Sequence, residues 1–180
     1  TAASNRGVLV VNAPGANSIS VAEHAVALML SLARSIPAAD QAMKQGRWEK
    51  KRFLGTELRG KTLGVAGLGR IGQEVAQRAR AFGMRIVAHD PYISRDVAAA
   101  MGVTLLSLDE LCATADYITL HLPATAETKH LFNDARFAAC KRGIRLINTA
   151  RGELIDEAAL GRAIESGIVA GAGLDVFDVE

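Results

Sequence analysis

Residues 61–92 read KTLGVAGLGRIGQEVAQRARAFGMRIVAHDPY. A short apolar run, Thr62 to Ala66, leads into Gly67, Gly69 and Gly72 in the spacing G-x-G-x-x-G. The stretch RIGQEVAQRARAF follows, with Ile71, Val75 and Ala79 recurring at the period of a helix. A second apolar run, RIVAH, ends at Asp90. Strand, glycine loop, helix, strand and terminal acid are the parts of a dinucleotide-binding βαβ unit. Gly67 lets the chain turn sharply, Gly69 leaves the backbone bare where a pyrophosphate approaches, and Gly72 lets helix pack on strand. The helix start presents free N–H groups and the positive end of its dipole to the phosphates. A carboxylate at Asp90 suits the hydroxyls of the adenosine ribose and repels a 2′-phosphate, so NAD is expected over NADP. Arg95 is the nearby cation that bears on that preference. A merely structural turn is the alternative for three glycines alone; the strand, helix and acid around them favour a phosphate loop.

Outward from this unit, apolar runs alternate with amphipathic ones. Strands are expected at Val8–Val11, Thr62–Ala66, Arg85–Ala88, Val103–Leu105, Tyr117–His121, Ile144–Ile147 and Val169–Leu174. Ser107-x-x-Glu110 forms a capping box ahead of LDELCATA, and Asp156 can cap EAALGRAIES. Gly102, Gly143 and Gly167 sit just past helical runs, where a left-handed residue ends a helix. Strands alternating with helices of about ten residues imply βαβ units and a parallel sheet. Near-continuous apolar strands imply cover on both faces. The expected fold is therefore α/β, a Rossmann-type doubly wound parallel sheet with helices on both faces.

The part before residue 60 has a different character. Ser20-x-x-Glu23 reads as a second capping box, opening a helix that runs to about Ile36 and past Pro37. Val21, Ala25, Leu28, Leu32 and Ile36 mark one stripe, while Val26, Met29, Leu30 and Ala33 fill much of the remaining circumference. Such a helix is buried on most sides, against another subunit, a further domain or the core of this one. The basic run KQGRWEKKR, Lys44 to Arg52, reads as a solvated linker anchored by Trp48. No recognition fold surrounds it, so no nucleic-acid partner is expected.

Composition bounds the rest. The chain has 180 residues, 49% hydrophobic and 22% charged, with a net charge of +2, which suits one globular domain without a strong general field. Cys112 and Cys140 form neither a disulfide framework nor a metal-ligand cluster, so no metal is expected and a reducing, cytoplasmic setting fits. The longest apolar stretch, Ala25 to Ala33, is too short to span a membrane, and no signal peptide is visible, so no membrane partner is expected. The chain starts at Thr1 and ends in LDVFDVE, and it reads as a piece of a longer protein.

In an open parallel sheet, ligands bind outside the carboxyl ends of the strands. Those ends collect the Gly67 loop, Asp90, His121-Leu122-Pro123, the run Asn148 to Gly152, and Asp175. Arg151 could hold a substrate carboxylate with two parallel hydrogen bonds, or pair on the surface with Glu153 or Asp156. Asp175 could accept from a nicotinamide carboxamide or cap the segment after it. His121 could be an acid–base catalyst or could only shape the cofactor loop. His24, His89 and His130 have weaker cases, and helix packing is expected for both cysteines.

Together, GKTLGVAGLGRIG, HDPY, HLP, NTARGELIDEAAL and AGLDVF resemble the D-isomer-specific 2-hydroxyacid dehydrogenases. NSISVAEHAVALMLSLARSIPAAD and GRWEKKRFLGTELRGKTLG are most similar to the branch that oxidises 3-phosphoglycerate. The resemblance implies hydride transfer between C2 of a 2-hydroxy acid and NAD. It implies Arg151 on the substrate and Glu180 orienting a histidine that lies beyond this chain, which alone would then be inactive. It places the pyrophosphate on Arg70 and Ile71 beside Gly67, Gly69 and Gly72, and the ribose on Asp90. His121, Leu122 and Pro123 line the cofactor, and Thr149, Ala150 and Asp175 meet its nicotinamide end. Leu122 departs from the small hydroxyl residue common in relatives. The resemblance also implies a homodimer or higher homo-oligomer through the nucleotide-binding domain. Residues 1–17 would be the end of a substrate domain and its crossover, and 18–180 the NAD-binding domain. The alternatives are the same chemistry on glyoxylate, hydroxypyruvate or lactate, and a non-catalytic NAD(H)-sensing protein.

Overall fold

The computed structural model describes residues 2–179. Six parallel strands, β1 (Thr62–Ala66), β2 (Arg85–His89), β3 (Thr104–Leu105), β4 (Tyr117–Leu120), β5 (Ile144–Asn148) and β6 (Val169–Leu174), form one sheet in the order β3-β2-β1-β4-β5-β6. This is the doubly wound order, and its reversal lies between β1 and β4. Strand alternation sends side chains to two separate cores. Leu63 and Val65 of β1, Ile86 and Ala88 of β2 and Ile147 of β5 join α1 (Ser18–Arg34), α3 (Arg70–Ala81) and α4 (Arg95–Ala100) on one face. Val87, Ile118, Leu120, Ile144 and Leu146 meet α5 (Leu108–Thr114), α6 (Asp134–Ala138) and α7 (Glu157–Glu165) on the other.

Local signals account for most boundaries. The capping box at Ser107 is formed in both directions, with Glu110 N–H donating to Ser107 Oγ and Ser107 N–H donating to Glu110 Oε2. Asp156 caps α7 by accepting from Ala159 N–H at 3.0 Å. Gly102 and Gly167 take positive φ just past the C-caps of α4 and α7, as expected, whereas Gly143, also at positive φ, lies in a turn beyond the C-cap Ala139 and does not end α6. The structure moves several strand limits by one residue. Cys112 is fully buried and Cys140 packs against the same core, so both serve packing.

Four expectations before residue 60 are corrected. Val8–Val11 is not a strand; those side chains are 57 to 85% exposed. An apolar run of four has strand character, yet a strand forms only where a neighbour takes its hydrogen bonds. The capping box at Ser20 is absent: the helix begins at Ser18, and Ser20 Oγ donates back to Asn17 O. The long helix also breaks. α1 stops at Arg34, Ser35 takes a left-handed conformation (φ 51°), and α2 (Ile36–Lys44) begins with Pro37 in its first turn. Pro37 has no N–H for the carbonyl of Ala33, which accepts from Thr56 N–H instead at 2.8 Å. Finally, Trp48 is 77% exposed and anchors nothing among the described residues.

The apolar surface of α1 is largely spent within this chain. Ala22, Ala25, Met29 and Ala33 enter the core beside α3, and Leu28 and Leu32 pack on β6. The core-helix alternative therefore explains its composition, with Ile19 left half-exposed.

Candidate functional site: a cleft at the strand-order reversal

The loop after β1 is held from both sides. Gly67 N–H donates to His89 O at 2.9 Å, and His121 N–H donates to Ala66 O at 2.8 Å. Gly67 sits at φ +93°, and a Cβ there would lie 2.5 Å from the carbonyl oxygen of His121. A Cβ on Gly72 would overlap the carbonyl oxygen of Gly67. Gly69 is different: its φ is ordinary, and nothing lies within 4 Å of a Cβ built on it. The structure thus separates one triplet into two structural glycines and one that leaves open space. That space adjoins the start of α3, where no side chain caps the helix. The first-turn N–H groups around Arg70, Ile71 and Gly72 are therefore free to meet an anion.

Asp90 ties the second strand to this loop. Its Oδ2 accepts from Leu68 N–H and its Oδ1 from Tyr92 N–H, both at 2.8 Å. A carboxylate has about four acceptor sites, so roughly two remain for ribose hydroxyls. The same side chain therefore shapes the loop and faces the cleft. We expect Asp90→Ala to weaken NADH binding about tenfold and to narrow the preference over NADPH, since it removes a charge-assisted acceptor and a 2′-phosphate repellent. Parallel calorimetric titrations with both cofactors check this; equal affinities in the unmutated chain would refute the carboxylate argument.

A cavity of about 570 Å³ opens between these elements, lined by Gly67, Gly69, Asp90, His121, Leu122 and Pro123 among others. Its lining also includes Tyr92, from the HDPY motif, and Thr125, Thr128 and Leu131, which sequence reading missed because they lie on a loop without a motif. Leu122 brings its side chain over Gly67 and contributes apolar wall, not a hydrogen bond. His121 is largely buried; its Nε2 meets Thr119 Oγ1 at 2.9 Å and its Nδ1 has no partner. Burial pushes its pKa down to about 4, so near neutral pH the ring is uncharged and a weak base. That environment favours a wall of the cofactor cleft over acid–base catalysis.

The other half of the rim carries a second cavity, of about 310 Å³, lined by Ala150, Arg151, Gly152, Glu153, Val176, Phe177 and Asp178. Buried Asn148 braces the turn beside it: its Oδ1 accepts from Ala150 N–H at 3.0 Å and its Nδ2 donates to Arg151 O at 2.8 Å. The structural role of Asn148 was not visible in sequence. Arg151 is exposed; its Nη1 donates to Ala150 O at 2.6 Å, and it makes no ion pair with Glu153, Asp156 or any other described carboxylate. The surface-pair alternative is therefore not what forms. Thr149 is buried with an unpartnered Oγ1. Asp175 N–H donates to Asn148 O at 2.9 Å, while its carboxylate lies 3.1 Å from His24 Nε2. Asp175 lines neither cavity, and Glu180 lies outside the described residues. A bare loop at a free helix start, an acid at the next strand end and a cleft at the order reversal fit a dinucleotide.

Known proteins share this chain's sequence and fold. The NAD binding domain of the D-isomer specific 2-hydroxyacid dehydrogenases matches residues 26–180. D-3-phosphoglycerate dehydrogenase of Archaeoglobus fulgidus is 53% identical over 179 residues, covering 99% of this chain and 34% of that protein. The Rattus norvegicus protein of the same name is 54% identical over 179 residues, with the same coverage of 99% and 34%. The chain thus spans about a third of the length of these curated relatives. D-lactate dehydrogenase of Aquifex aeolicus, solved with NAD and lactic acid, superposes with a TM-score of 0.88 at 40% identity, covering 99% of this chain and 54% of that one. Fold, cleft and likeness together make this chain an NAD-binding domain that belongs to the D-isomer-specific 2-hydroxyacid dehydrogenase family.

Proposed function

We propose that the protein carrying this domain oxidises 3-phosphoglycerate with NAD, giving 3-phosphohydroxypyruvate, the first step of serine biosynthesis. The observation behind the substrate choice is the higher identity to phosphoglycerate dehydrogenases than to the solved D-lactate enzyme. When bound, NAD supplies the hydride acceptor at C4 of its nicotinamide ring. On this reading, Gly69 and the N–H groups of Arg70 and Ile71 hold the pyrophosphate, with Gly67 and Gly72 shaping the loop. Asp90 takes the ribose, His121, Leu122 and Pro123 wall the adenosine side, and Thr149, Ala150 and Asp175 face the nicotinamide side.

Arg151 holds the substrate carboxylate so that C2 faces the ring, a positioning contribution made by a side chain no described carboxylate neutralises. The family resemblance assigns the hydroxyl proton to a histidine beyond residue 180, oriented by Glu180; His121, whose pKa burial lowers, does not take that role on this reading. Residues 1–17 then complete a substrate domain and cross into the cofactor domain, 18–180. The protein acts as a homodimer or higher homo-oligomer in the cytoplasm.

The test is NADH consumption by the full-length protein with 3-phosphohydroxypyruvate, hydroxypyruvate, glyoxylate and pyruvate side by side. A clear preference for the phosphorylated acid supports the proposal. A preference for an unphosphorylated acid moves the protein to a sister activity. NADH binding without turnover of any of the four points to a sensor.

A further inference from the structure

The contact between α1 and β6 has a regular register. Leu32 lies 3.2 Å from a Cβ built on Gly171, and Leu28 lies 3.1 Å from one built on Gly173. One helical turn further, His24 Nε2 lies 3.1 Å from Asp175 Oδ1. Steps of four residues along a helix advance about 6 Å, and steps of two along a strand about 6.6 Å, so the two ladders stay in phase. The glycines of β6 admit the helix closely, and this close packing carries His24 to the end of the strand. The alanines Ala22 and Ala25 beside it are fully buried, which fixes the helix that presents it.

Asp175 is anchored at its backbone by Asn148 but its side chain is 51% exposed, and His24 is 48% exposed. An exposed carboxylate samples several rotamers unless a partner selects one. In a doubly wound sheet the two halves bind the two halves of a dinucleotide. The Gly67 loop and Asp90 share one cavity with His121, Leu122 and Pro123 after β4, which leaves the nicotinamide to the ends of β5 and β6.

We propose that His24 is a positioning residue of the nicotinamide half-site: its imidazole holds the Asp175 carboxylate in the orientation that accepts the carboxamide N–H. The inference rests on the placement of nicotinamide proposed above. It adds a residue from α1, outside both halves of the βαβαβ framework, to cofactor recognition.

The test compares NADH with ADP-ribose, which keeps the adenosine and pyrophosphate and lacks the nicotinamide. Calorimetric Kd values are measured on the 180-residue chain, on His24→Ala and on His24→Gln, whose amide N–H can replace the imidazole donor. His24→Ala is expected to weaken NADH about three- to tenfold, the loss of one close polar contact to a carboxylate, with ADP-ribose unchanged. His24→Gln is expected to recover most of the loss. In an Asp175→Asn background, His24→Ala is expected to add less than twofold, because the pair acts as a unit. An unchanged NADH Kd in His24→Ala overturns the proposal, and so does an equal loss for both ligands, which marks a merely structural role. Wild-type affinity for NADH reports separately on the cofactor site itself: if NADH and ADP-ribose bind equally, the nicotinamide placement falls and this inference with it.

Discussion

Gly69→Val abolishes NADH binding and leaves the domain folded: that is the expected outcome at the one glycine of the triplet with open space beside it. Its φ of −70° is available to any residue, and nothing lies within 4 Å of an added Cβ. Valine at a helix N-cap is less favourable than glycine by about 1 kcal/mol, which lowers the Tm of a domain this size by about 2–4 °C. The two added methyl groups would occupy the space in front of the free N–H groups of α3, where the pyrophosphate belongs. Loss of those contacts is expected to raise the Kd at least about a hundredfold, or roughly 3 kcal/mol. Titration calorimetry and a thermal melt on the same preparation check both halves. An unchanged Kd with a native melt defeats the assignment of the loop to phosphate.

Gly72→Ala has the opposite signature. Its Cβ would overlap the Gly67 carbonyl oxygen and press on Val65 Cγ1 at 3.1 Å. Neither neighbour is free to yield. Gly67 is held in a left-handed turn by His89 and lies against His121, and Val65 is fully buried. The helix must lift from the sheet, which is overpacking at a backbone contact, expected to cost about 3 kcal/mol. A loss of that size lowers Tm by about 6–12 °C in a domain of 150 to 250 residues. A denaturant melt showing less than about 1 kcal/mol lost would mean that α3 slides without strain, against the packing described. The two glycines, three positions apart in one motif, are thus separable by which measurement moves.

Much of this was legible in advance because its causes are local. Helix caps at Ser107 and Asp156 involve partners three residues away, and both form. Strand and helix periods repeat within ten residues, and the glycine loop, its strand, its helix and Asp90 all lie within residues 61–92. Where local signals competed, sequence reading failed. Ser20-x-x-Glu23 has the spacing of a capping box, yet the helix begins at Ser18, and Pro37 ends a periodicity that otherwise continues.

The sequence by itself determined the class of the fold and pointed to the rim of the candidate site and to the cofactor. Each follows from spacing along the chain, and spacing survives without tertiary contacts. Tertiary structure alone decided three other matters. Burial against the β1–β4 junction turned His121 from a candidate base into a neutral wall. Folding of the turn set Asn148 to brace Ala150 and Arg151, and it left Arg151 free of Glu153 and Asp156. Packing of α1 on the glycines of β6 brought His24 within 3.1 Å of Asp175, about 150 residues later in the chain. Dielectric environment and the meeting of distant side chains are properties of packing, and no pattern read along one chain contains them.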